Sequence, residues 1–308
     1  DCRFNGEGFA RAVAQQLAAA GIKVFLSPGF VSTPMVSLAT MMRQTDLGIV
    51  ITASHNPPIY NGFKLKGPYG GPAYPSMIAE VEELVPDEPI AVSANFDDLL
   101  ETKQIEYYDM ESLYVNHLKQ AFDWSSIQAA AIPVAFDAMY GTGQRVMRKL
   151  FPEAELLHCE FNPSFHGQAP EPIERNLGEL KKLAQTKRIP FGLANDGDAD
   201  RIGLFDQHGH FVDSHHIILL LIHYLSQHKG LSGKVVVTFS VTEKVRKLCE
   251  RYGLELEVTK IGFKYIGEIM GKEDVLVGGE ESGGIAVAGH APERDGIYIG
   301  LMLLEMMA

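Results

Sequence analysis

A serine and a histidine stand side by side in the segment 52–58, TASHNPP, directly after an apolar run. That run, residues 48–52, is short and rich in β-branched residues, which predicts a buried strand. Ser54 and His55 then fall on the loop at the carboxyl end of the strand, where open α/β sheets hold their ligands. The two prolines fix φ and push their predecessors out of the helical region, so the loop is stiff. A hydroxyl on such a loop is a candidate nucleophile, although isolated Ser-His pairs more often only form turns.

Three aspartates, Asp196, Asp198 and Asp200, alternate after another predicted strand. In an extended segment alternate side chains share one side, so the carboxylates converge on a hard oxygen site that suits one magnesium ion. A calcium loop of the EF-hand kind needs glycine at position six and glutamate at position twelve, which here are Arg201 and Gln207. The remaining alternative is a solvated acidic turn, in which three crowded carboxylates would repel one another.

Two further segments carry polar side chains suited to ligands. Lys260 and Lys264 lie on a predicted loop between a strand and a helix, where a phosphate could be held, although lysines at such positions are more often only solvated. Glu280 and Ser282 lie among four glycines in residues 278–284. Glycine allows close approach to a ligand, and the polar pair offers acceptors for sugar hydroxyls; a flexible surface hairpin is the alternative.

The elements that must position these residues alternate between strands and helices. This alternation predicts an α/β fold: three consecutive α/β domains with mixed, mostly parallel sheets flanked by helices. A glycine turn at 137–143 is either a phosphate cradle or, more commonly, a tight packing turn. Residues 86–98 are acidic and proline-spaced, which predicts a lead-in to a linker. The predicted strands are 22–26, 48–52, 133–136, 190–194, 234–238 and 254–258, and the predicted helices are 8–20, 33–43, 75–84, 107–122, 176–185, 212–228 and 242–252.

Composition narrows the class of protein. The 308 residues are 46% hydrophobic, enough for two or three packed domains. The net charge of -12 predicts no nucleic-acid or membrane partner, and the longest apolar stretch is too short to span a bilayer. Cys2, Cys159 and Cys249 are odd in number and lack metal-type spacing, which favours reduced thiols and a cytoplasmic location.

Taken in order and spacing, four segments resemble the α-D-phosphohexomutase superfamily of phosphoglucomutases and phosphomannomutases: residues 52–57, 196–201, 259–264 and 279–283. The resemblance covers nearly the whole chain. It implies an enzyme that interconverts hexose 1-phosphate and hexose 6-phosphate, glucose before mannose, through a phosphoserine and a hexose 1,6-bisphosphate that is also the activator. A phosphosugar is the expected partner, and the oligomeric state is left open.

The resemblance also implies a role for each matched residue. Ser54 is the phosphoserine and, together with the three aspartates, a ligand of the magnesium ion. Lys64, ten residues further on, looks like a general acid/base with His55 beside it. Glycine and phenylalanine stand at 284 and 263, where several bacterial relatives carry histidine, so one catalytic partner is open. The substrate-binding residues implied in this way are Arg201, Lys260, Lys264, Glu280 and Ser282.

The same resemblance predicts domains at 1–102, 103–211 and 212–308, which carry the serine loop, the metal loop and the sugar loop. Because the superfamily has four domains, the chain is expected to be a fragment without the opening strand and the fourth domain. Two other hypotheses stay open. One is a non-catalytic fragment of such an enzyme, and the other is a metal-dependent phosphatase with a serine nucleophile.

Overall fold

A computed structural model describes residues 1–88, 90 and 94–308. The predicted linker lead-in, 86–98, falls partly outside these described residues. The helices are α1 (Gly6–Ala19), α2 (Thr33–Met42), α3 (Pro75–Glu83), α4 (Phe96–Glu101), α5 (Met110–Ala121), α6 (Trp124–Ala130), α7 (Gly143–Leu150), α8 (Gly178–Lys187), α9 (Ser214–His223), α10 (Lys244–Tyr252), α11 (Phe263–Met270) and α12 (Gly296–Met307). The strands are β1 (Val24–Leu26), β2 (Gly48–Ile51), β3 (Phe63–Lys66), β4 (Ile105–Tyr107), β5 (Val134–Asp137), β6 (Glu155–Leu157), β7 (Phe191–Asn195), β8 (Ile202–Phe205), β9 (Phe211–Val212), β10 (Lys234–Thr238), β11 (Leu256–Thr259), β12 (Val275–Gly279) and β13 (Ile285–Val287).

The strands form mixed sheets flanked by helices, and the predicted α/β fold is confirmed. β1 pairs with β4 in parallel and β2 with β3 antiparallel. A five-stranded sheet has the order β6-β5-β7-β8-β9, and a four-stranded sheet has the order β11-β10-β12-β13. β5 and β7 are buried along their whole lengths, as expected for strands covered on both faces.

Two predicted helices are shorter than their apolar periodicity indicated. The pattern over 107–122 predicted one helix, but residues 105–107 form β4, so the helix begins only at Met110. Asp109 caps it by accepting a hydrogen bond from the Ser112 N–H. The pattern over 212–228 likewise ends as an α-helix at His223 and continues as one π-helical segment. The predicted domain boundaries at 102/103 and 211/212 stay predictions.

The last helix, α12, ties two of the units together. Residues 296–304 of this helix are all buried, because α12 packs against β7 and β8 of one sheet and β13 and α9 of the next unit. Asp295 caps the helix by accepting a hydrogen bond from the Tyr298 N–H. Two of the α/β units therefore share one apolar core, which holds the loops at their sheet ends in a fixed relation.

The glycine turn at 137–143 is a packing turn. A Cβ added to Gly141 would lie 2.7 Å from the carbonyl oxygen of Asp196, so only glycine lets the turn approach the aspartate loop so closely. The backbone N–H of Thr142 donates to the carbonyl of Gly197 across the same contact.

Among the described residues, no helix is both long and apolar enough to cross a membrane.

Candidate active site

Ser54 lies on the loop that leaves β2, and its hydroxyl points into the aspartate cluster. Ser54 Oγ donates a 2.7 Å hydrogen bond to Asp196 Oδ2, and the serine is 7% exposed. The serine backbone is left-handed, with φ of 52°, a conformation that costs free energy in residues other than glycine. Its N–H donates to Thr52 Oγ1 at 2.8 Å. Local hydrogen bonding therefore holds the candidate nucleophile in a strained conformation.

A buried arginine, absent from the predicted site, supports this loop from below. Arg3 is 2% exposed, and its two Nη groups donate hydrogen bonds to main-chain carbonyls. The oxygens that accept its hydrogen bonds belong to Ser54 (2.5 Å), Asn56 (2.7 Å), Pro57 (3.0 Å) and Tyr60 (3.1 Å). One guanidinium thus braces four points of the loop, which no single lysine could do.

The three aspartates converge, but through a turn and not through an extended segment as predicted. Ala199 is left-handed, with φ of 58°, and this reverses the chain. Asp196 Oδ1 accepts the N–H groups of Asp200 (2.9 Å) and Arg201 (3.0 Å), which wraps the turn around its own side chain. Asp196, Asp198 and Asp200 are fully buried, and one carboxylate oxygen from each lies within 4.8 Å of the others.

A lysine and a threonine contact this cluster through their side chains. Lys64 Nζ lies 3.0 Å from Asp198 Oδ2 and 3.6 Å from Asp200 Oδ2. Burial alone would lower the pKa of Lys64, but the charges of the two carboxylates outweigh it and raise the pKa, so the ammonium keeps its charge at neutral pH. Thr33 Oγ1 donates to Asp198 Oδ2 at 2.6 Å.

The aspartates fit a divalent cation. Asp198 Oδ1 and Asp200 Oδ1 are buried and have no hydrogen-bond partner among the described residues. Burial, with the charges of Asp200 and Asp198, raises the pKa of Asp196 well above its usual range. Carboxylate oxygens left bare and repelling one another are the ligand set that a magnesium ion satisfies. Carboxylate oxygens of Asp196, Asp198 and Asp200 are therefore the atoms that would hold it, and Ser54 Oγ, expected as a further ligand, lies beside Asp196.

Arg294 is a second residue that sequence reasoning missed. Its Nη2 lies 2.5 Å from Asp200 Oδ2, and its Nη1 lies 3.7 Å from Glu280 Oε2, so it links the aspartate loop to the glycine-rich loop. A Cβ added to Gly284 would lie 2.4 Å from Arg294 Cδ, and the guanidinium carbon lies 5.3 Å from the Phe263 ring centre. Arg294 therefore occupies the space beside Gly284 and Phe263. These are the two positions at which several bacterial relatives carry histidine.

The glycine-rich loop connects β12 to β13 and meets both neighbouring loops. Glu280 is 6% exposed, and its Oε1 accepts the N–H of Gly262 at 3.0 Å. Arg201 pairs with Gly284 through a β-bridge, and its Nη1 lies 3.5 Å from the carbonyl oxygen of Ser282. The Ser282 residue itself is exposed to solvent. Glu280 is therefore built into the site, and Ser282 lies at its open edge.

The remaining predicted residues form no hydrogen bond or ion pair with the aspartates in the described part of the chain. Lys260 and Lys264 are exposed and flank the ring of Tyr265, at 4.3 and 5.3 Å from its centre. His55 is half-buried, and its buried Nδ1 has no hydrogen-bond partner in the described part of the chain. Burial, and then the charge of Arg201, lowers the pKa of His55, so the ring is neutral at neutral pH.

Three family models match the chain in succession. Phosphoglucomutase/phosphomannomutase α/β/α domain I matches residues 1–89, domain II matches 112–209 and domain III matches 213–308. The serine loop falls in the first match, the aspartate loop in the second and the glycine-rich loop in the third. The contacts described above therefore join all three domains.

Individual relatives agree with the family models. The phosphoglucomutase/phosphomannomutase of Thermococcus kodakarensis is 30% identical over 312 residues, which are 100% of this chain and 67% of that protein. A phosphoglucosamine mutase of Rhizobium johnstonii is 29% identical, over 99% of this chain and 67% of its own length. A crystal structure described as a phosphomannomutase from Thermus thermophilus superimposes with a TM-score of 0.91 at 37% identity, over 99% of this chain and 69% of that one. The chain belongs to the phosphoglucomutase/phosphomannomutase family, whose members are phosphohexomutases, that is, intramolecular phosphotransferases.

Proposed function

We propose that this chain transfers a phosphoryl group between Ser54 and a hexose phosphate, and so interconverts hexose 1-phosphate and hexose 6-phosphate through a hexose 1,6-bisphosphate. The observation that carries the proposal is the 2.7 Å contact between Ser54 Oγ and Asp196 Oδ2, with Lys64 on the neighbouring carboxylates. A nucleophilic oxygen, a hard-cation site and a charged ammonium within one cluster are the parts that phosphoryl transfer requires.

In the forward step a free hydroxyl of the sugar monophosphate attacks the phosphorus of phosphorylated Ser54. The new bond joins phosphorus to the sugar oxygen, the bond to Ser54 Oγ breaks, and the sugar hydroxyl passes its proton to the neutral ring of His55. The bisphosphate then turns over and returns its other phosphoryl group to Ser54 Oγ, so the second bond between phosphorus and a sugar oxygen breaks and that oxygen takes the proton back from His55. When bound, magnesium supplies positive charge that neutralises the phosphoryl oxygens.

Three side chains near Ser54 have proposed roles in the transfer. Arg3 holds the serine loop so that Oγ stays aimed at the aspartate cluster. Lys64 brings a charged donor to the side of the cluster on which Asp198 and Asp200 lie. His55 is next to the nucleophile and has a ring nitrogen with no partner in the described residues, so it can exchange a proton with the reacting hydroxyls.

We propose glucose phosphates as the preferred substrates, with Glu280 and Ser282 as readers of the sugar hydroxyls. Glucosamine phosphate is the competing candidate, since several relatives carry the name phosphoglucosamine mutase. We place Arg201, Lys260 and Lys264 as cationic contacts of the phosphosugar. The test is to compare kcat/KM for glucose 1-phosphate, mannose 1-phosphate and glucosamine 1-phosphate. We expect the highest value for glucose 1-phosphate, and a higher value for glucosamine 1-phosphate would contradict this preference.

The phosphoserine is tested by incubating the chain with glucose 1,6-bisphosphate and mapping the phosphate by peptide mass spectrometry. We expect phosphate on Ser54 alone. Ser54→Ala should lose the label, whereas Ser125→Ala, which removes a surface hydroxyl hydrogen-bonded to Asp123, should retain it. Label on another residue contradicts the proposal.

We further propose that the bisphosphate acts as the activator. We also propose that the enzyme works in the cytoplasm, which the scattered free cysteines support.

A further inference from the structure

A lysine and a glutamate distant in sequence form a buried ion pair beside the candidate active site. Lys66 lies on β3 and Glu293 lies three residues before α12, and their charged atoms are in direct contact. The side chains are 2% and 1% exposed. Ser37 Oγ also lies 3.4 Å from Glu293 Oε2. Because removing two charges from water is costly, a pair buried this deeply is weak evidence for stability and suggests a geometric role.

Each member of the pair adjoins a residue that contacts the aspartate cluster. Lys66 and Lys64 are two positions apart on one strand, so their side chains leave the same face of the strand. Lys64 reaches Asp200, and Lys66 reaches Glu293. Glu293 precedes Arg294 and accepts the N–H of that arginine on Oε1 at 3.1 Å. The pair therefore fixes the backbone from which the Arg294 side chain departs.

The contacts form a chain of alternating charge, and the backbone of β3 between the two terminal lysines closes this chain into a ring, which we call the charge ring. It runs from Lys64 to Asp200, from Asp200 to Arg294, and from the adjacent Glu293 back to Lys66 on the strand of Lys64. The two lysines belong to the part matched by domain I, Asp200 to domain II, and the last two residues to domain III. The charge ring thus connects residues of all three domains at the site.

We propose that Lys66 and Glu293 are positioning residues that hold Arg294 against Asp200, and so align the loop before α12 with the Ser54 loop. This inference rests on the proposed transfer at Ser54. Arg294 is the only described residue that contacts both Asp200 and Glu280 through its guanidinium, so a shift of its backbone would move a charge that faces two loops of the site. A small displacement of such a group can cost about a hundredfold in rate.

The test replaces the pair without leaving a buried charge alone. Lys66→Met with Glu293→Gln keeps the volume of both side chains and the acceptor for the Arg294 N–H. The full chain is compared with this double variant, with Arg294→Gln, and with all three substitutions together. Lys229→Met with Glu305→Gln is the control, because it removes another ion pair: Lys229 Nζ lies 2.9 Å from Oε2 of Glu305, which is on α12.

The measured quantities are the rate of Ser54 phosphorylation by glucose 1,6-bisphosphate and the melting temperature. We expect the double variant to melt close to the control but to be phosphorylated about 10- to 100-fold more slowly. In a protein that already carries Arg294→Gln, the same double substitution should not slow Ser54 phosphorylation further. The pair is proposed to act only by positioning the Arg294 guanidinium, which this variant lacks.

Two results would overturn the proposal. One is a phosphorylation rate in the double variant equal to that of the control. The other is a rate loss that persists in full in the Arg294→Gln background, which would mean that the pair acts independently of the arginine. Failure of the proposed function is distinguishable from either, because the unsubstituted chain itself would then take up no phosphate on Ser54.

Discussion

The guanidinium of Arg3 donates a 2.5 Å hydrogen bond to the main-chain carbonyl of Ser54, 51 residues away in the sequence. The serine is held in a left-handed conformation, so its geometry depends on partners outside its own loop. The candidate nucleophile is thus positioned by the start of the chain and aimed at a carboxylate from the second domain.

Replacing Arg3 should therefore disturb the serine loop before anything else. Arg3→Lys keeps the charge but cannot reach all of the carbonyls, and we expect a loss of about 3 to 5 kcal/mol in stability, as for breaking a buried charged network. Ser54 phosphorylation should slow as well. Chemical denaturation and labelling by the bisphosphate measure the two effects. Arg175→Lys, whose side chain is 79% exposed, is the control, and equal behaviour of the two variants would contradict the role of Arg3.

Removing one aspartate should weaken magnesium binding. The melting temperature of the unsubstituted chain should rise with magnesium concentration, because a ligand that binds only the folded state stabilises it. Asp198→Asn replaces a carboxylate that has a bare buried oxygen, and we expect this rise to disappear or to need about 10- to 100-fold more magnesium. Asp206→Asn, in a turn remote from the cluster, should respond like the parent. A parental response in Asp198→Asn would rule out this metal site.

Gly284 should be sensitive to a single methyl group. Gly284→Ala places a Cβ 2.4 Å from Arg294 Cδ, so the arginine must move away from Asp200. We expect slower phosphorylation of Ser54 with only a modest loss of stability, about 1 to 3 kcal/mol, as for overpacking. Gly178→Ala, which meets no atom within 4 Å, serves as the control. An unchanged rate in Gly284→Ala would show that the position of Arg294 does not matter.

His158 should make stability depend on pH. The hydrogen bond from its Nδ1 to Asp137 Oδ1, at 2.9 Å, raises the pKa of the histidine although burial opposes this. A histidine whose pKa is higher in the folded state stabilises fully below its unfolded pKa of about 6.5, and this contribution is lost as pH rises through the folded pKa. His158→Gln should therefore lower the melting temperature more at pH 5.5 than at pH 9. An equal loss at both values would exclude the charged pair.

The sequence alone was enough for the fold class, since apolar periodicity and turn residues are local properties of the chain. The strand at 234–238 is found at its predicted bounds, and the helix from Thr33 ends one residue before its predicted end. Ser54 and the aspartates could also be singled out, because a nucleophile loop and a carboxylate cluster each consist of a few consecutive residues, whereas Lys64 was identified only through the resemblance to phosphohexomutases. The resemblance to phosphohexomutases depended on the same short segments.

Tertiary structure decided which side chains support those residues. Arg3, Arg294 and the pair of Lys66 and Glu293 stand in segments without any local pattern, and each acts on a residue at least 51 positions away. The space beside Gly284 that accepts an arginine exists only after two loops have met. Long-range hydrogen bonds and buried charge pairs depend on how separate elements pack, and no short stretch of sequence specifies that packing.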